Sequence, residues 1–194
     1  MTWVYLGCDE GLVRAKLNGG AAEAEWVVRD RPVSSVVADP LQPRQLYAAT
    51  LGHGLLRSAD GGDSWEAEAS GIASPLVSML DVSRSDRNDC LGVVYAGTEP
   101  SALYRSEDAG STFEEVRSLQ EVPSRGEWSF PPAPDTDHVR SIALDQRDPN
   151  VLLVGIELGG LQPRAHIPRR RGLVPPGQDD PAGARRPRPP RGGG

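Results

Sequence analysis

Short, largely apolar runs of strand type fill the first 160 residues, and clusters of Gly, Pro, Asn, Asp and Ser separate them. Runs of this kind lie at 3–8, 11–16, 33–39, 46–50, 54–58, 76–82, 94–98, 103–106, 139–145 and 151–157. Strand-type residues in short runs with turn punctuation predict β-strands, and helical spacing is absent. The runs also repeat. Tyr47-Ala48-Ala49-Thr50 followed by Leu56-Arg57-Ser58-x-Asp60 matches Tyr95-Ala96-Gly97-Thr98 followed by Tyr104-Arg105-Ser106-x-Asp108, and the two aspartates are 48 residues apart. Val33-Ser34-Ser35-Val36, Val77-Ser78-Met79-Leu80 and Val139-Arg140-Ser141-Ile142 open successive units. Each unit holds four strands, a to d, with d of the second unit expected near 64–69. Four strands repeating every 40–50 residues are the pattern of a propeller blade. The fold class read from this is all-β, a partial β-propeller of about three blades at roughly 1–30, 31–75, 76–138 and a fraction at 139–160.

Ser58-x-Asp60-x-Gly62-x-Ser64-Trp65 and Ser106-x-Asp108-x-Gly110-x-Thr112-Phe113 resemble Asp boxes, the repeats of BNR-type propellers of the sialidase-like and sortilin-like kinds. Tyr95–Pro100 and Trp128–Pro132 are also similar to bacterial BNR-repeat proteins of glycosyl hydrolase-like type. The resemblance implies that each box is the tight turn between strands c and d. There the Asp carboxylate accepts backbone N–H bonds, Gly62 and Gly110 supply turn geometry, and Trp65 and Phe113 bury their rings between neighbouring blades. It further implies a ligand face on the opposite side, built from b–c and d–a loops. Sialidase chemistry, by the same resemblance, needs three arginines, a Tyr/Glu pair and an Arg-Ile-Pro motif before the first box, and this chain has no such motif there.

The b–c loops carry Asp9 and Glu10, His53, Glu99 and Glu157, which sets acids and a histidine around one rim. The longest d–a loop, about 117–138, holds Trp128, Phe130 and His138, with Arg140 just beyond. Loops of this length in compact domains are usually functional or disordered. Glu99 and Glu157 are the candidate catalytic carboxylates, because glycosidases work with a pair at suitable separation. His53, Trp128, Phe130, His138 and Arg140 are the candidate ligand-binding residues, with two exposed aromatics to stack on a sugar. The competing structural reading has Trp128 and Phe130 covering a blade edge and the acids as solvated turn residues. The expected function is a non-catalytic scaffold binding a carbohydrate or protein ligand on this face; the alternative is a sialidase-like glycoside hydrolase. No cofactor or metal is expected, since no Cys/His cluster of ligand spacing occurs.

Charge divides the chain. The 21 basic and 27 acidic residues give −6, but residues 161–194 hold eight arginines and two acids, so residues 1–160 carry 13 basic against 25 acidic, or −12. An acidic body disfavours nucleic acid. No apolar run reaches the roughly 18 residues of a membrane span. The first residues lack a basic, apolar leader, so the expected location is cytoplasmic. Cys8 and Cys90 fall in strand runs and are expected as buried free thiols.

Residues 161–194 contain eight prolines, six glycines and no aromatic residue, which predicts disorder. A basic arm, a linker and a shifted reading frame all account for such a tail. The last is favoured, because reading Ile167–Val174 one nucleotide later permits Ser-x-Asp-Gly-Gly-x-Ser-Phe, another box near its due place. The chain opens at a strand b, so the missing strand a is expected from a C-terminal continuation. An unclosed fan exposes sheet edges, which predicts marginal stability and edge-mediated self-association.

Overall fold

The computed structural model describes residues 2–18, 21–67, 69–129, 136–157 and 165–166. Among these residues the chain forms four antiparallel sheets in sequence order. Sheet 1 is β1 (Thr2–Cys8), β2 (Gly11–Asn18) and β3 (Ala21–Arg29). Sheet 2 is β4 (Val33–Ala38), β5 (Leu46–Thr50) and β6 (Leu55–Ser58). Sheet 3 is β7 (Val77–Asn88), β8 (Leu91–Thr98), β9 (Leu103–Ser106) and β10 (Glu114–Glu115). Sheet 4 is β11 (His138–Leu144), β12 (Leu152–Glu157) and β13 (Ala165–His166). They stack face to face as the blades of a partial β-propeller. Among the described residues no helix is long and apolar enough to cross a membrane.

Three apolar layers hold the sheets together. Leu12 meets Val33, Ala48 and Leu56 between sheets 1 and 2, with Tyr5 and Trp65 packed against them. Tyr47, Ala49 and Leu55 meet Val77, Leu80, Val94, Tyr104 and Phe113 between sheets 2 and 3. Val93, Tyr95 and Leu103 meet Val139, Ile142, Leu152 and Val154 between sheets 3 and 4. Each fully buried Val or Leu here contributes about 1.5–3 kcal/mol of transfer free energy. Trp65 and Phe113 thus lie between neighbouring sheets, as their place after the aspartate turns predicts.

The innermost strands share a device invisible to alternation alone. A bulge falls between Val33 and Ser35, between Val77 and Met79, and between Val139 and Ser141, each time just after a valine near the start of the strand. The bulged Ser34 hydroxyl donates to the Val77 carbonyl at 2.8 Å, and the bulged Ser78 hydroxyl donates to the Val139 carbonyl at 2.7 Å. Both bonds cross from one sheet to the next. Bulges re-aim one side chain while keeping the ladder.

Four sequence expectations need correction or extension. Strand d of the second unit is not a strand over 64–69: Glu66 makes only an isolated bridge to Arg57, and the backbone then leaves to bond the next unit, Ser70 to Ser111 and Phe113. β7 runs six residues past the predicted 76–82, because Arg87 and Asn88 re-pair with Gly92 and Leu91 after a second bulge. Cys8 and Cys90 are exposed, one at the end of β1 and one in the turn after β7, not buried. Ala165–His166, inside the stretch assigned to the tail, pairs with Val154 and Leu153; the rest of 161–194 lies outside the described residues.

Candidate functional site

Hydrogen bonds sort the loops into two rims. On one rim the b–c loops bond the d–a loops: Asp30 N to Glu10 O at 2.9 Å, Leu51 N to Pro32 O at 3.0 Å, and Glu99 N to Leu76 O at 3.0 Å. On the other rim the a–b loops bond the c–d turns: Gly61 N to Arg44 O at 2.8 Å, and Asn88 Nδ2 to Glu107 O at 3.2 Å. The aspartate turns and the Glu99–Glu157 loops are therefore on opposite rims.

The aspartate turns are closed by their own side chains. Ser58 Oγ donates to Asp60 Oδ1 at 2.7 Å and accepts from Gly62 N at 2.8 Å. Asp60 also accepts from the backbone N–H groups of Asp63 and Ser64 and from Ser64 Oγ at 2.6 Å. These bonds, led by that of the Ser64 hydroxyl, hold its carboxyl far below the ordinary range. Ser106 and Asp108 repeat the pattern with Gly110, Ser111 and Thr112. Partial burial opposes ionisation of Asp108, but the bonds from Thr112, Ser106 and Ser111 outweigh it and its carboxyl is also lowered. Gly62 and Gly110 have φ of 84° and 74°, where a Cβ is strained. A Cβ on Gly62 would also stand 2.8 Å from the Tyr5 ring, and one on Gly110 would stand 3.0 Å from the Tyr47 ring. Each turn is thus a seat for the tyrosine of the preceding sheet. Arg14 reaches the first turn at Asp63, 2.5 Å away, and Arg57 reaches the second at Ser111. Both carboxylate oxygens of each aspartate accept hydrogen bonds from within their own turn.

On the loop rim, the d–a loop between sheets 3 and 4 is anchored by two side chains. Leu119 is fully buried, and Trp128 is only 8% exposed, both in the layer between sheets 3 and 4. The expected exposed aromatic at 128 is therefore a core residue: its indole N–H donates to Ser124 Oγ at 3.2 Å and its face carries the Arg125 guanidinium at 4.9 Å. Phe130 lies outside the described residues. Arg125 continues the anchor, donating to Gln120 at 2.8 Å and to Asp137 at 3.2 Å, while Gln120 donates to the Ser101 carbonyl at 2.9 Å.

This anchor sets the sequence-predicted residues at the junction of sheets 3 and 4. Thr136 Oγ1 donates to Glu99 Oε1 at 2.6 Å. Two residues on, His138 opens β11 directly opposite Glu157 of β12, with Nε2 2.7 Å from Glu157 Oε2. Arg140 Nε stands 3.5 Å from the same oxygen, on a side chain that is 73% exposed. Glu157, His138 and Arg140 thus form one cluster and Glu99 is tied to its edge. His53 is exposed on the 51–54 turn of sheet 2, one sheet away. Sequence reasoning missed Thr136 and Asp137, although both adjoin His138. Asp137 is 5% exposed, and its Oδ2, like the Ser101 hydroxyl, is buried without a hydrogen-bond partner among the described residues. Buried polar atoms of this kind are rare. Among the described residues, no group of three or more His, Cys, Asp or Glu side chains converges to hold a metal ion.

No protein-family model and no curated protein matches this sequence. Solved structures do match its fold. The structure of YCF48 bound to D1 peptide superposes with a TM-score of 0.46 at 15% identity, over 84% of this chain and 50% of that one. An ancestral GH74 enzyme superposes with a TM-score of 0.51 at 15% identity, over 85% of this chain and 24% of that one. The chain therefore spans half the length of the first and about a quarter of the second. At this identity the second likeness shows the fold alone: this chain is similar to β-propellers in the arrangement of its sheets.

Proposed function

We propose that this chain belongs to a propeller of the Asp-box kind that binds a carbohydrate or protein ligand, without catalysis, on the rim between sheets 3 and 4. The observation that carries the reading is the clamp just described. A loop pinned by Leu119 and Trp128 delivers Thr136, Asp137 and His138 to Glu99 and Glu157, so donors and acceptors of both charges converge at one rim. The paired serine–aspartate turns on the opposite rim support the Asp-box part of the proposal.

The state of the two glutamates favours binding over hydrolysis. Glu99 is held by Thr136, and Glu157 by His138 and Arg140. Each carboxylate braces its own loop, whereas a glycosidase pair faces one scissile bond across a shared gap. The test is a panel of fluorogenic aryl glycosides with the wild-type chain and Glu99→Gln and Glu157→Gln. No turnover above background is expected from any of the three. Turnover by the wild type that both variants lose would replace this reading with the hydrolase. On the binding side, backbone amide shifts on titration with oligosaccharides or a peptide library should cluster at 99–101, 120–128 and 136–140; shifts confined to the opposite rim would reject the site.

A further inference from the structure

Tyr5, Tyr47 and Tyr95 stand opposite Arg14, Arg57 and Arg105 in the same register of sheets 1, 2 and 3. Two residues before each tyrosine, and so on the same face, the side chain differs: Trp3, Gln45 and Val93. That residue decides what covers the arginine beside the aspartate turns.

In sheet 1 a ring covers it. The Arg14 guanidinium lies 4.8 Å from the centre of the Trp3 ring, and the Lys16 ammonium lies 5.7 Å from it. Arg14 is held at Glu25 and Asp63, and both Arg14 and the Tyr5 hydroxyl reach the Gly61 carbonyl, at 3.3 and 2.6 Å. In sheet 3, Val93 is buried in the layer toward sheet 4, and Arg105 is paired with Asp86 and Glu107.

Sheet 2 keeps the arginine and lacks the ring. Gln45 stands in place of Trp3 and Ala59 in place of Lys16, and both line a cleft of about 250 Å³ together with Arg57, Asp60, Glu66 and Ala109. Arg57 is held much as Arg14 is: it bonds Ser111, the counterpart of Asp63, and stands 3.6 Å from Glu66, the counterpart of Glu25. Its side chain is 21% exposed, against 13% for Arg14. Nor does the bond that closes sheet 1 on its neighbour recur. Ala109 is the counterpart of Gly61, yet the Tyr47 hydroxyl is buried without a partner among the described residues. The lining comes from sheets 2 and 3, so the cleft does not depend on the first strand or on residues beyond 157. Its volume is below the roughly 300–1,000 Å³ of drug-sized sites, which limits an occupant to one small ring system.

We propose that this cleft is a binding site for an indole ring, which stacks on Arg57 as Trp3 stacks on Arg14 and directs its N–H to the Gln45 amide oxygen or the Glu66 carboxylate. Indole is the aromatic group that a guanidinium attracts most strongly, and the attraction grows as water is displaced. A tryptophan side chain of another protein and a small indole compound offer the same chemistry. The site lies on the rim opposite Glu99 and Glu157 and does not rest on the function proposed for that rim.

The test titrates the full chain with N-acetyl-tryptophanamide and reads backbone amide shifts. Saturable ring-current shifts are expected at 45, 57–60 and 109, with none at 99–101 or 136–140, so the two sites stand or fall separately. N-acetyl-leucinamide should give no saturable shifts. Gln45→Trp reproduces the pattern of sheet 1 and fills the cleft from within; it should keep the circular dichroism of the wild type and lose the binding. Arg57→Leu should weaken binding roughly fivefold, equal to about 1 kcal/mol. Indole itself and acetyl-Gly-Trp-Gly-amide separate the two sources: tighter binding of the peptide assigns a protein's tryptophan, and equal binding assigns a free indole compound. Absence of saturable shifts at the cleft overturns the proposal, as does undiminished binding by folded Gln45→Trp or equal binding of the leucine compound.

Discussion

Replacing Gly97 by alanine adds one methyl group where sheet 4 leaves no room for it. An ideal Cβ at 97 would stand 2.4 Å from Val139 Cγ1 and 2.5 Å from Val139 Cβ, and Val139 is fully buried. Neither atom is the end of a flexible chain, so sheet 4 must shift. Overpacking of this kind destabilises by about 1–3 kcal/mol. The equivalent pair one sheet earlier is Ala49 with Val77, both fully buried, so the repeat itself tolerates a methyl where the sheets are set to receive it. The expected penalty therefore belongs to the pair and not to glycine as such. Val139→Ala alone should cost about 2 kcal/mol, from two lost methyl groups and a partly relaxed cavity. It also removes the atoms that the added methyl would strike. In a double-mutant cycle the two changes together should cost about 1–2 kcal/mol less than the sum of the singles. Urea unfolding followed by tryptophan fluorescence reads all four proteins, with Trp128 reporting from the affected layer. Strict additivity, or an unchanged midpoint for Gly97→Ala, would refute the close approach of β8 and β11.

Two further outcomes follow from the turns and the anchored loop. The carboxyls of Asp60, Asp108 and Asp145 are lowered by hydrogen bonds in the folded chain, so their stabilisation is complete above the ordinary Asp value of about 3.9 and fades as pH falls toward the folded values. Asp81, raised mainly by burial, acts in the opposite sense and offsets part of this loss. Asp108→Asn should accordingly lower the urea midpoint at about pH 6, and its gap to the wild type should narrow as pH falls below about 3.9; a gap that stays constant into the acid range would remove the carboxylate from the explanation. Trp128→Ala should cost about 3 kcal/mol, because the indole is a core residue of the layer between sheets 3 and 4. A change below about 0.5 kcal/mol, typical of surface sites, would return Trp128 to the exposed role its loop suggests.

The sheets were legible because each unit repeats both its strand-type runs and a turn. Tyr47 and Tyr95 with Ser58 and Ser106 mark the same places in two blades, and the structure sets them in the same register. What was not legible depends on contacts between units. The segment after Trp65 has strand-like residues, yet its backbone is claimed by Ser111 and Phe113 of the next turn. Trp128 reads as exposed because it sits in a long polar loop, and only the gap between sheets 3 and 4 decides otherwise. For the candidate site, sequence placed His138, Arg140, Glu99 and Glu157 on one rim from the loop order alone. It could not see that Thr136 and Asp137 hold them there, since a lone Thr-Asp pair carries no signal until Arg125 and Glu99 arrive beside it.

The serines at the inner-strand bulges also bear on how the molecule comes apart. Each hydroxyl is spent on the carbonyl of a different sheet, so freeing one inner strand strips its neighbour of a partly buried partner. Opening is thereby transmitted along the row instead of stopping at one blade. Position 140 is arginine, and the relay has no third hydroxyl to pass to. The fourth sheet is thus coupled backward through the Val139 carbonyl, while its own bulged residue, Arg140, turns to Glu157.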